Sequence, residues 1–201
     1  MYPFRDKRPI HRRNRKVCKH YKSYKITLRI DFNHSCGYCN DLDINRIRSY
    51  VIDHFVPQTP DGWMHRIKPN KYLNLVYSCS FCNGAKTNKW PTKKASVPNN
   101  GIEGFIMPTR YEYGRIFYRD TDGSIKYNSA NQLAKYIHKE LNLWHPIHSL
   151  NWKFIRILSQ EKTLDKIYKQ TRNVTIKQEI NDLKILRMEI VDTINEIYNA
   201  A

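Results

Sequence analysis

Residues 36–39 read CGYC and residues 79–82 read CSFC, and these two stretches decide how the 201-residue sequence is interpreted. Two residues between a pair of thiolates let one turn present both sulfurs to a single ion, and two such pairs supply four ligands for structural zinc. A redox pair and four unrelated buried cysteines are the alternatives, but no thioredoxin-like βαβ pattern accompanies the pairs. Paired cysteines in an intracellular chain favour zinc over disulfides. We therefore predict a zinc site formed by Cys36, Cys39, Cys79 and Cys82.

The composition indicates a globular protein with a polyanionic partner. Hydrophobic residues make up 40% of the chain and aromatic residues 12%, which is enough for a packed core. Lys and Arg number 35 against 18 Asp and Glu, a formal charge of +17 that favours nucleic acid over an anionic membrane surface. Because the sequence has neither an apolar run of about 20 residues nor a signal peptide, we expect a cytoplasmic protein with no membrane partner.

The positive charge is concentrated near the N-terminus. Residues 1–29 contain eleven Lys and Arg against Asp6 alone, so this segment carries +10 of the formal charge. Such an arm can follow a phosphate backbone and release counterions, although a solubilising tail is the alternative. The predicted nucleic-acid contacts are Arg12, Arg13, Arg15 and Lys16 in the arm and, with a solvated helix face as the alternative, Lys86 and Lys89 further along the chain.

Hydrophobic periodicity predicts an α+β fold. Residues 1–15 are expected to be irregular, and residues 91–101 are a linker by composition. Strands are predicted at residues 50–55 and 73–77, and a hairpin at residues 115–127 that turns at Asp122-Gly123. Helices are predicted at residues 16–30, 80–89, 129–143, 146–171 and 174–198, the last with an amphipathic stripe that packs against its neighbour.

The sequence between and around the cysteine pairs resembles the HNH endonuclease family, the ββα-metal nucleases. Residues 52–57 read IDHFVP and residues 72–91 read YLNLVYSCSFCNGAKTNKWP. In that family an Asp-His or His-His pair ends the first strand, an Asn follows on the second strand, and a His or Asn opens the helix. The matching positions are Asp53, His54, Asn74 and Asn83, and the resemblance covers residues 34–91.

These residue types suit phosphodiester hydrolysis. His54 can accept a proton from water because imidazole titrates near neutral pH, and Asp53 and Asn83 offer the oxygen ligands that Mg²⁺ or Mn²⁺ prefers. The resemblance implies that Asn74 orients the base through a hydrogen bond. Because adjacent strand residues point to opposite faces, Asp53 and His54 share a site only if the strand end is twisted or bulged. The structural alternatives are a turn cap for Asp53, a half-buried His54, a turn residue for Asn74 and a helix cap for Asn83.

The layout of the whole chain is also similar to small HNH nucleases of bacterial anti-phage systems, particularly the Septu-type nuclease subunit. A basic N-terminal helix, an HNH unit, residues 104–125 (GFIMPTRYEYGRIFYRDTDGSI) and a helical tail carry this resemblance. It implies an ATPase partner that docks on the C-terminal helices.

Together these features predict three segments. They are a basic arm and helix at residues 1–33, a zinc-braced ββα-metal core at 34–91, and a linker, hairpin and mainly helical region at 92–201. The predicted function is a metal-dependent endonuclease acting on DNA. The alternative is a zinc-stapled nucleic-acid-binding module or docking subunit without catalysis, which would have no need of Asp53, His54, Asn74 and Asn83 together.

Overall fold

The computed structural model describes residues 1–44 and 49–199 of an α+β protein. The chain forms two compact units. The first contains Met1–Thr121 and Ile125–Trp144, and the second contains Asp122–Ser124 and the segment that begins at His145. All three segments expected from the sequence contribute residues to the first unit. No helix among the described residues combines the length and the apolar character needed to cross a membrane.

Five short strands form two antiparallel sheets. The strands are β1 (Tyr2–Pro3), β2 (Tyr50–His54), β3 (Leu75–Cys79), β4 (Phe117–Arg119) and β5 (Ile125–Tyr127). One sheet has the order β1-β4-β5, and the other pairs β2 with β3. The helices are α1 (Lys25–Asp31), α2 (Ser80–Lys86), α3 (Tyr111–Arg115), α4 (Gln132–Glu140), α5 (Pro146–Thr171) and α6 (Val174–Asn199), with 3₁₀ turns at Tyr21–Tyr24 and Tyr72–Asn74.

The hairpin of β2 and β3, followed directly by α2, contains the predicted site residues. All five residues of β3 are buried, as expected of a strand packed on both faces. The pairing runs without interruption from Tyr50 opposite Cys79 to His54 opposite Leu75, so the bulge considered for the end of β2 is absent. Helix α2 is shorter than predicted because Thr87, at φ 48°, leaves the helical region directly after Lys86.

The first helical segment is also shorter than the sequence predicts. Residues 16–20 are not helical, and the 3₁₀ turn begins at Tyr21. The backbone of His20 is extended, and the backbone N–H of Cys18 donates to the hydroxyl of Tyr24 at 2.7 Å. The N–H of Cys18 lies in the first turn of the predicted helix, where it would have no carbonyl partner within the helix, and the hydroxyl of Tyr24 satisfies it instead. Periodicity alone does not reveal such a side-chain contact.

The basic arm, expected to be irregular, is largely irregular in secondary structure but is part of the folded core. Phe4 is buried, and β1 pairs with β4. The backbone N–H of Ile10 donates to the carbonyl of Asp31 at 3.0 Å, and Nε2 of His11 lies 2.8 Å from the carbonyl of Leu75. The arm is therefore not a disordered tail, because apolar and hydrogen-bonding side chains alternate with the exposed charges. A solubilising role for those exposed charges remains the alternative to contact with nucleic acid.

The second unit contains a helical hairpin. Helix α5 has its predicted bounds, and α6 ends one residue beyond its predicted end. Arg172, in the left-handed region, ends α5, and the side chain of Asn173 accepts from the N–H of Thr175 at the start of α6. The helices pack on each other, as the stripe of α6 predicts, and Arg187 donates to Glu161 across the pair at 2.6 Å.

Replacement of His11 tests whether the arm stabilises the fold. Burial lowers the pKa of His11 below its ordinary value of 6.5, so the unfolded chain binds the proton more readily than the folded one. The stability that the neutral His11 contributes is complete above pH 6.5 and is lost as the pH falls through 6.5 toward the folded-state pKa. The loss is about 1.4 kcal/mol for each pH unit by which the folded-state pKa lies below 6.5. We expect the advantage of the wild type over His11→Gln in the free energy of unfolding to shrink between pH 7.5 and 5.5.

Denaturant unfolding at each pH provides the measurement, and His20→Gln, which replaces an exposed histidine of the same segment, is the control. A difference between wild type and His11→Gln that does not change with pH would contradict a buried, neutral His11.

Candidate metal site and polar cleft

The four paired cysteines form one buried cluster. The Sγ atoms of Cys36, Cys39, Cys79 and Cys82 all lie within 4.8 Å of one another. Cys39 and Cys79 have their sulfurs 3.8 Å apart, which is about the sulfur–sulfur edge of a tetrahedron with Zn–S bonds of about 2.3 Å. None of the five cysteines, all of which lie within the described residues, forms a disulfide. The cluster therefore fits a metal such as zinc.

Local backbone geometry brings each pair together. In the first pair, the N–H of Gly37 donates to the carbonyl of Tyr77 at 2.8 Å. A Cβ at Gly37 would lie 2.7 Å from both the ring of Phe32 and a methyl group of Val76, so a larger residue does not fit there. The second pair spans the junction of β3 and α2, where the thiol of Cys79 accepts from the N–H of Cys82 at 3.5 Å.

The four thiols of the cluster differ in the direction of their pKa shifts. Burial opposes ionisation of all four, but hydrogen bonds from Cys39, Cys79 and Cys82 lower the pKa of Cys36 well below its ordinary range. Burial, joined by the neighbouring thiols, raises the pKa of Cys82. Thiolates are the forms that bind a metal, so a cation at the centre of the cluster would release the thiol protons and offset the cost of burying the negative charges.

Two arginines that the sequence analysis did not single out hold the CGYC turn. Arg5 donates to the carbonyl of Gly37 at 2.9 Å, and burial lowers its pKa to about 10. Arg119 is buried and donates to the carbonyl of Cys39 at 2.8 Å and to Asp41 at 3.0 Å. Nothing in the sequence pattern marks these contacts, because both bind backbone carbonyls of a distant segment.

A polar cleft of about 470 Å³ lies at the end of β2. It brings together three of the four residues matched to the HNH motif, Asp53, His54 and Asn83, whereas Asn74 does not line it. The remaining lining residues are Ile52, Pro57, Gln58, Thr59, Thr87 and Asn88.

His54 has the features of a proton acceptor. Its Nε2 lies 2.8 Å from the carbonyl oxygen of Pro69, and since a carbonyl only accepts, Nε2 carries the hydrogen. Burial lowers the pKa of His54 below 6.5, so the ring is neutral at pH 7 and Nδ1 keeps its lone pair. No hydrogen-bond partner of Nδ1 is found among residues 1–44 and 49–199. The ring of Tyr21 packs edge-on at 4.7 Å and fixes the imidazole from one side.

Asn74 does not make the hydrogen bond expected of it. Its amide binds both backbone groups of Val56, accepting from the N–H at 2.9 Å and donating to the carbonyl at 3.0 Å. Its backbone carbonyl accepts from Phe55 at 2.8 Å. Asn74 therefore fixes the backbone that follows His54, and the carbonyl of Pro69 orients the ring. The hydrogen bond comes from a backbone group, which residue type does not reveal.

Asp53 is held by two partners. The hydroxyl of Tyr38 donates to one carboxylate oxygen, and the ammonium of Lys86 lies 3.0 and 3.2 Å from the two oxygens. Burial raises the pKa of Asp53, and the charge of Lys86 opposes that rise.

The prediction that Lys86 contacts phosphate is wrong. Its side chain is fully buried, and its ammonium also donates to the carbonyl of His54 at 2.9 Å. The ammonium therefore points away from solvent, into the space between α2 and the end of β2.

The other predicted nucleic-acid contacts fall into two groups. Three are engaged with neighbouring side chains: Arg12 with Asp31, Arg15 with the ring of Tyr24, and Lys89 with Glu140. The other two, Arg13 and Lys16, are exposed. Only part of the positive charge in the arm is thus free of neighbouring partners. Contact with nucleic acid remains a prediction for all five of these residues.

Comparisons of the chain with known protein families, curated proteins and solved structures find no match.

Removal of one cysteine tests the metal site. We expect one zinc per chain in the purified protein and its loss in Cys79→Ser. Zinc binding contributes about 10–16 kcal/mol to the folding of zinc-finger peptides, more than the usual 5–15 kcal/mol stability of a domain, so the variant should lose its cooperative unfolding transition. Elemental analysis and thermal unfolding measure the two effects.

Cys18→Ser is the matched control because Cys18 lies outside the cluster, and it should keep both zinc and the melting temperature. Absence of zinc from the wild type, or unchanged melting of Cys79→Ser, would contradict the assignment.

Proposed function

We propose that this chain is a metal-dependent endonuclease of the HNH type that hydrolyses phosphodiester bonds in DNA. The observation that carries the proposal is the cleft that His54, Asp53 and Asn83 line together, with Nε2 of His54 bound to the carbonyl of Pro69 and Nδ1 without a hydrogen-bond partner among the described residues. Support also comes from the strand–strand–helix order of β2, β3 and α2 beside the cysteine cluster.

His54 is the general base in this proposal. A neutral imidazole whose Nε2–H is bound to Pro69 can accept a proton only at Nδ1. Nδ1 would accept a proton from a water molecule as the water oxygen bonds to phosphorus and the bond from phosphorus to the leaving sugar oxygen breaks. The leaving oxygen then takes a proton from solvent. Asn74 keeps the backbone after His54 in place through Val56, so its contribution is indirect.

Asp53 and Asn83 would hold the divalent ion. A carboxylate and an amide oxygen that line one open cleft suit Mg²⁺ or Mn²⁺, which also keep several waters. When bound there, the ion would supply stabilisation of negative charge on the phosphate and the leaving oxygen. Because Lys86 already neutralises Asp53, we expect weaker ion binding than at an unpaired carboxylate.

The formal charge of +17 supports a polyanionic substrate but suits a binding module equally well. A base held in one tautomer beside two oxygen ligands has no use in a module that only binds, and this favours catalysis. The predicted ATPase partner and anti-phage role remain proposals, with the α5–α6 hairpin as the docking candidate.

Replacement of His54 tests its proposed role as the general base directly. His54→Ala should reduce cleavage of plasmid DNA in Mg²⁺ or Mn²⁺ by about 10²–10⁴-fold, the usual contribution of general-base catalysis. Zinc content and DNA binding should be unchanged, because His54 lies outside the cysteine cluster.

The exposed His20 provides the control variant, His20→Ala, which should cut at the wild-type rate. Equal rates for wild type and His54→Ala would show that His54 is not the base. A wild type that cuts with neither ion, alone or with an added ATPase should one be encoded beside it, would favour the binding module.

A metal titration of cleavage tests the two oxygen ligands. Asp53→Asn should raise the Mg²⁺ concentration for half-maximal rate by roughly tenfold, about 1.4 kcal/mol, because it removes the charged ligand. Asn83→Ala should raise it less, because a neutral amide is the weaker ligand. Asp165→Asn, which removes an exposed carboxylate from α5, is the charge-matched control.

Asp53→Asn also leaves the buried Lys86 without its counterion, which can destabilise the fold. The double variant Asp53→Asn/Lys86→Met removes both charges and shows whether the change in metal dependence survives when folding is restored. An unchanged half-maximal concentration in Asn83→Ala and in the double variant would contradict the proposed ligands.

A further inference from the structure

A second, smaller cleft meets the polar cleft at Asn88. Its volume is about 240 Å³. Asn88 lines both clefts, so the two adjoin at this residue. The lining is aromatic and basic: Asp61, Trp63, Asn88, Lys89, Trp90, Pro91, Lys93 and Tyr136.

We propose that this aromatic cleft binds the base of a nucleotide next to the scissile phosphate, so that the protein prefers nucleic acid with an unpaired base at that position. The inference rests on the proposed nuclease function, since it takes the polar cleft as the place of the scissile phosphate. Single strands and locally opened duplexes are the substrate class that it defines.

Trp63 provides the stacking surface. Its ring is partly exposed and packs against the core, with the ring of His65 at 5.5 Å. Trp90 is buried, donates from its indole nitrogen to the carbonyl of Lys94 at 3.0 Å, and contacts Phe55 edge-on at 5.2 Å. The ring of Trp90 is therefore held in place by its neighbours, whereas the ring of Trp63 is partly exposed and can stack on a planar ligand. Bases of any identity stack on such rings.

Lys93 supplies the charge. It is exposed, and its backbone adopts φ 52° in the turn that follows Trp90. No carboxylate lies within ion-pair distance of Lys93 among the described residues. The other two charged residues of the cleft are engaged: Lys89 with Glu140 at 2.8 Å, and Asp61 with the amide of Asn88 at 2.6 Å. One unpaired cation beside a partly exposed indole is the combination that binds a phosphate and its base.

The size of the cleft limits its ligand. Small-molecule sites commonly have volumes of about 300–1,000 Å³, so 240 Å³ suits one planar ring system better than a cofactor. A base within a duplex is paired and stacked, and its extrusion costs a few kcal/mol. An unpaired base enters without that cost, and for this reason the cleft discriminates between single-stranded and duplex nucleic acid.

Binding measurements under non-cleaving conditions test the proposal. In a His54→Ala background without added Mg²⁺ or Mn²⁺, fluorescence anisotropy compares a labelled single-stranded oligonucleotide with the duplex of the same sequence. Trp63→Ala should weaken single-strand binding by about 5- to 140-fold, the range for loss of one stacked base, and change duplex binding much less. Trp63→Phe, which keeps an aromatic ring, should retain most of the affinity of the unsubstituted Trp63 for the single strand. Lys93→Gln should reduce the slope of log affinity against log salt by about one.

Tyr111→Ala is the control, because it removes an exposed aromatic side chain that lines neither cleft. Undetectable single-strand binding, an unchanged affinity in Trp63→Ala, or equal losses on single strand and duplex would overturn the proposal. Cleavage by the chain with His54 intact is measured separately. Selective loss of single-strand binding in Trp63→Ala together with a wild type that cuts nothing would support the subsite and refute the nuclease function.

Discussion

Lys86 and Asp53 form a buried ion pair on which the arrangement of the cleft depends. The ammonium of Lys86 also binds the carbonyl of His54, and Tyr38 donates to the carboxylate of Asp53. One pair thus joins helix α2, the end of strand β2 and the turn between the first two cysteines. Removing one partner of a buried pair typically costs about 3–5 kcal/mol, because the other charge is left uncompensated. We therefore expect the protein to tolerate replacement of both Asp53 and Lys86 better than replacement of either one alone.

The cysteine cluster links the same elements through different atoms. Its first pair flanks Tyr38, and its second pair lies where β3 meets α2. Because Tyr38 binds Asp53, any change in the CGYC turn reaches the carboxylate through one hydrogen bond. Zinc would thus stabilise the fold and, through Tyr38, also help to fix the position of the Asp53 carboxylate.

The sequence predicted the spacing of the motifs and the order of the helices and strands well. It predicted the contact partners of individual side chains poorly. The cysteine cluster and the order of the β2–β3–α2 segment follow from local patterns. That Asp53, His54 and Asn83 line one cleft was implied only by the resemblance to HNH nucleases. The partners of Asn74 and Lys86 do not follow from local patterns, because periodicity indicates which face a residue occupies and not which distant group it meets. Lysine is rarely buried unless it is paired, so a solvent-facing Lys86 was the reasonable expectation.

The net charge overstates the surface available to nucleic acid. Arg5, Lys86 and Arg119 bind carbonyls or carboxylates inside the first unit, so part of the basic composition stabilises the protein itself. The cations that can contact phosphate must be sought among side chains with no internal partner. Lys93 is such a side chain beside the two clefts, and Arg13 is one in the exposed part of the arm. Specificity in this chain would then come from the shape of the aromatic cleft and the position of a few charges, since total charge attracts any polyanion equally.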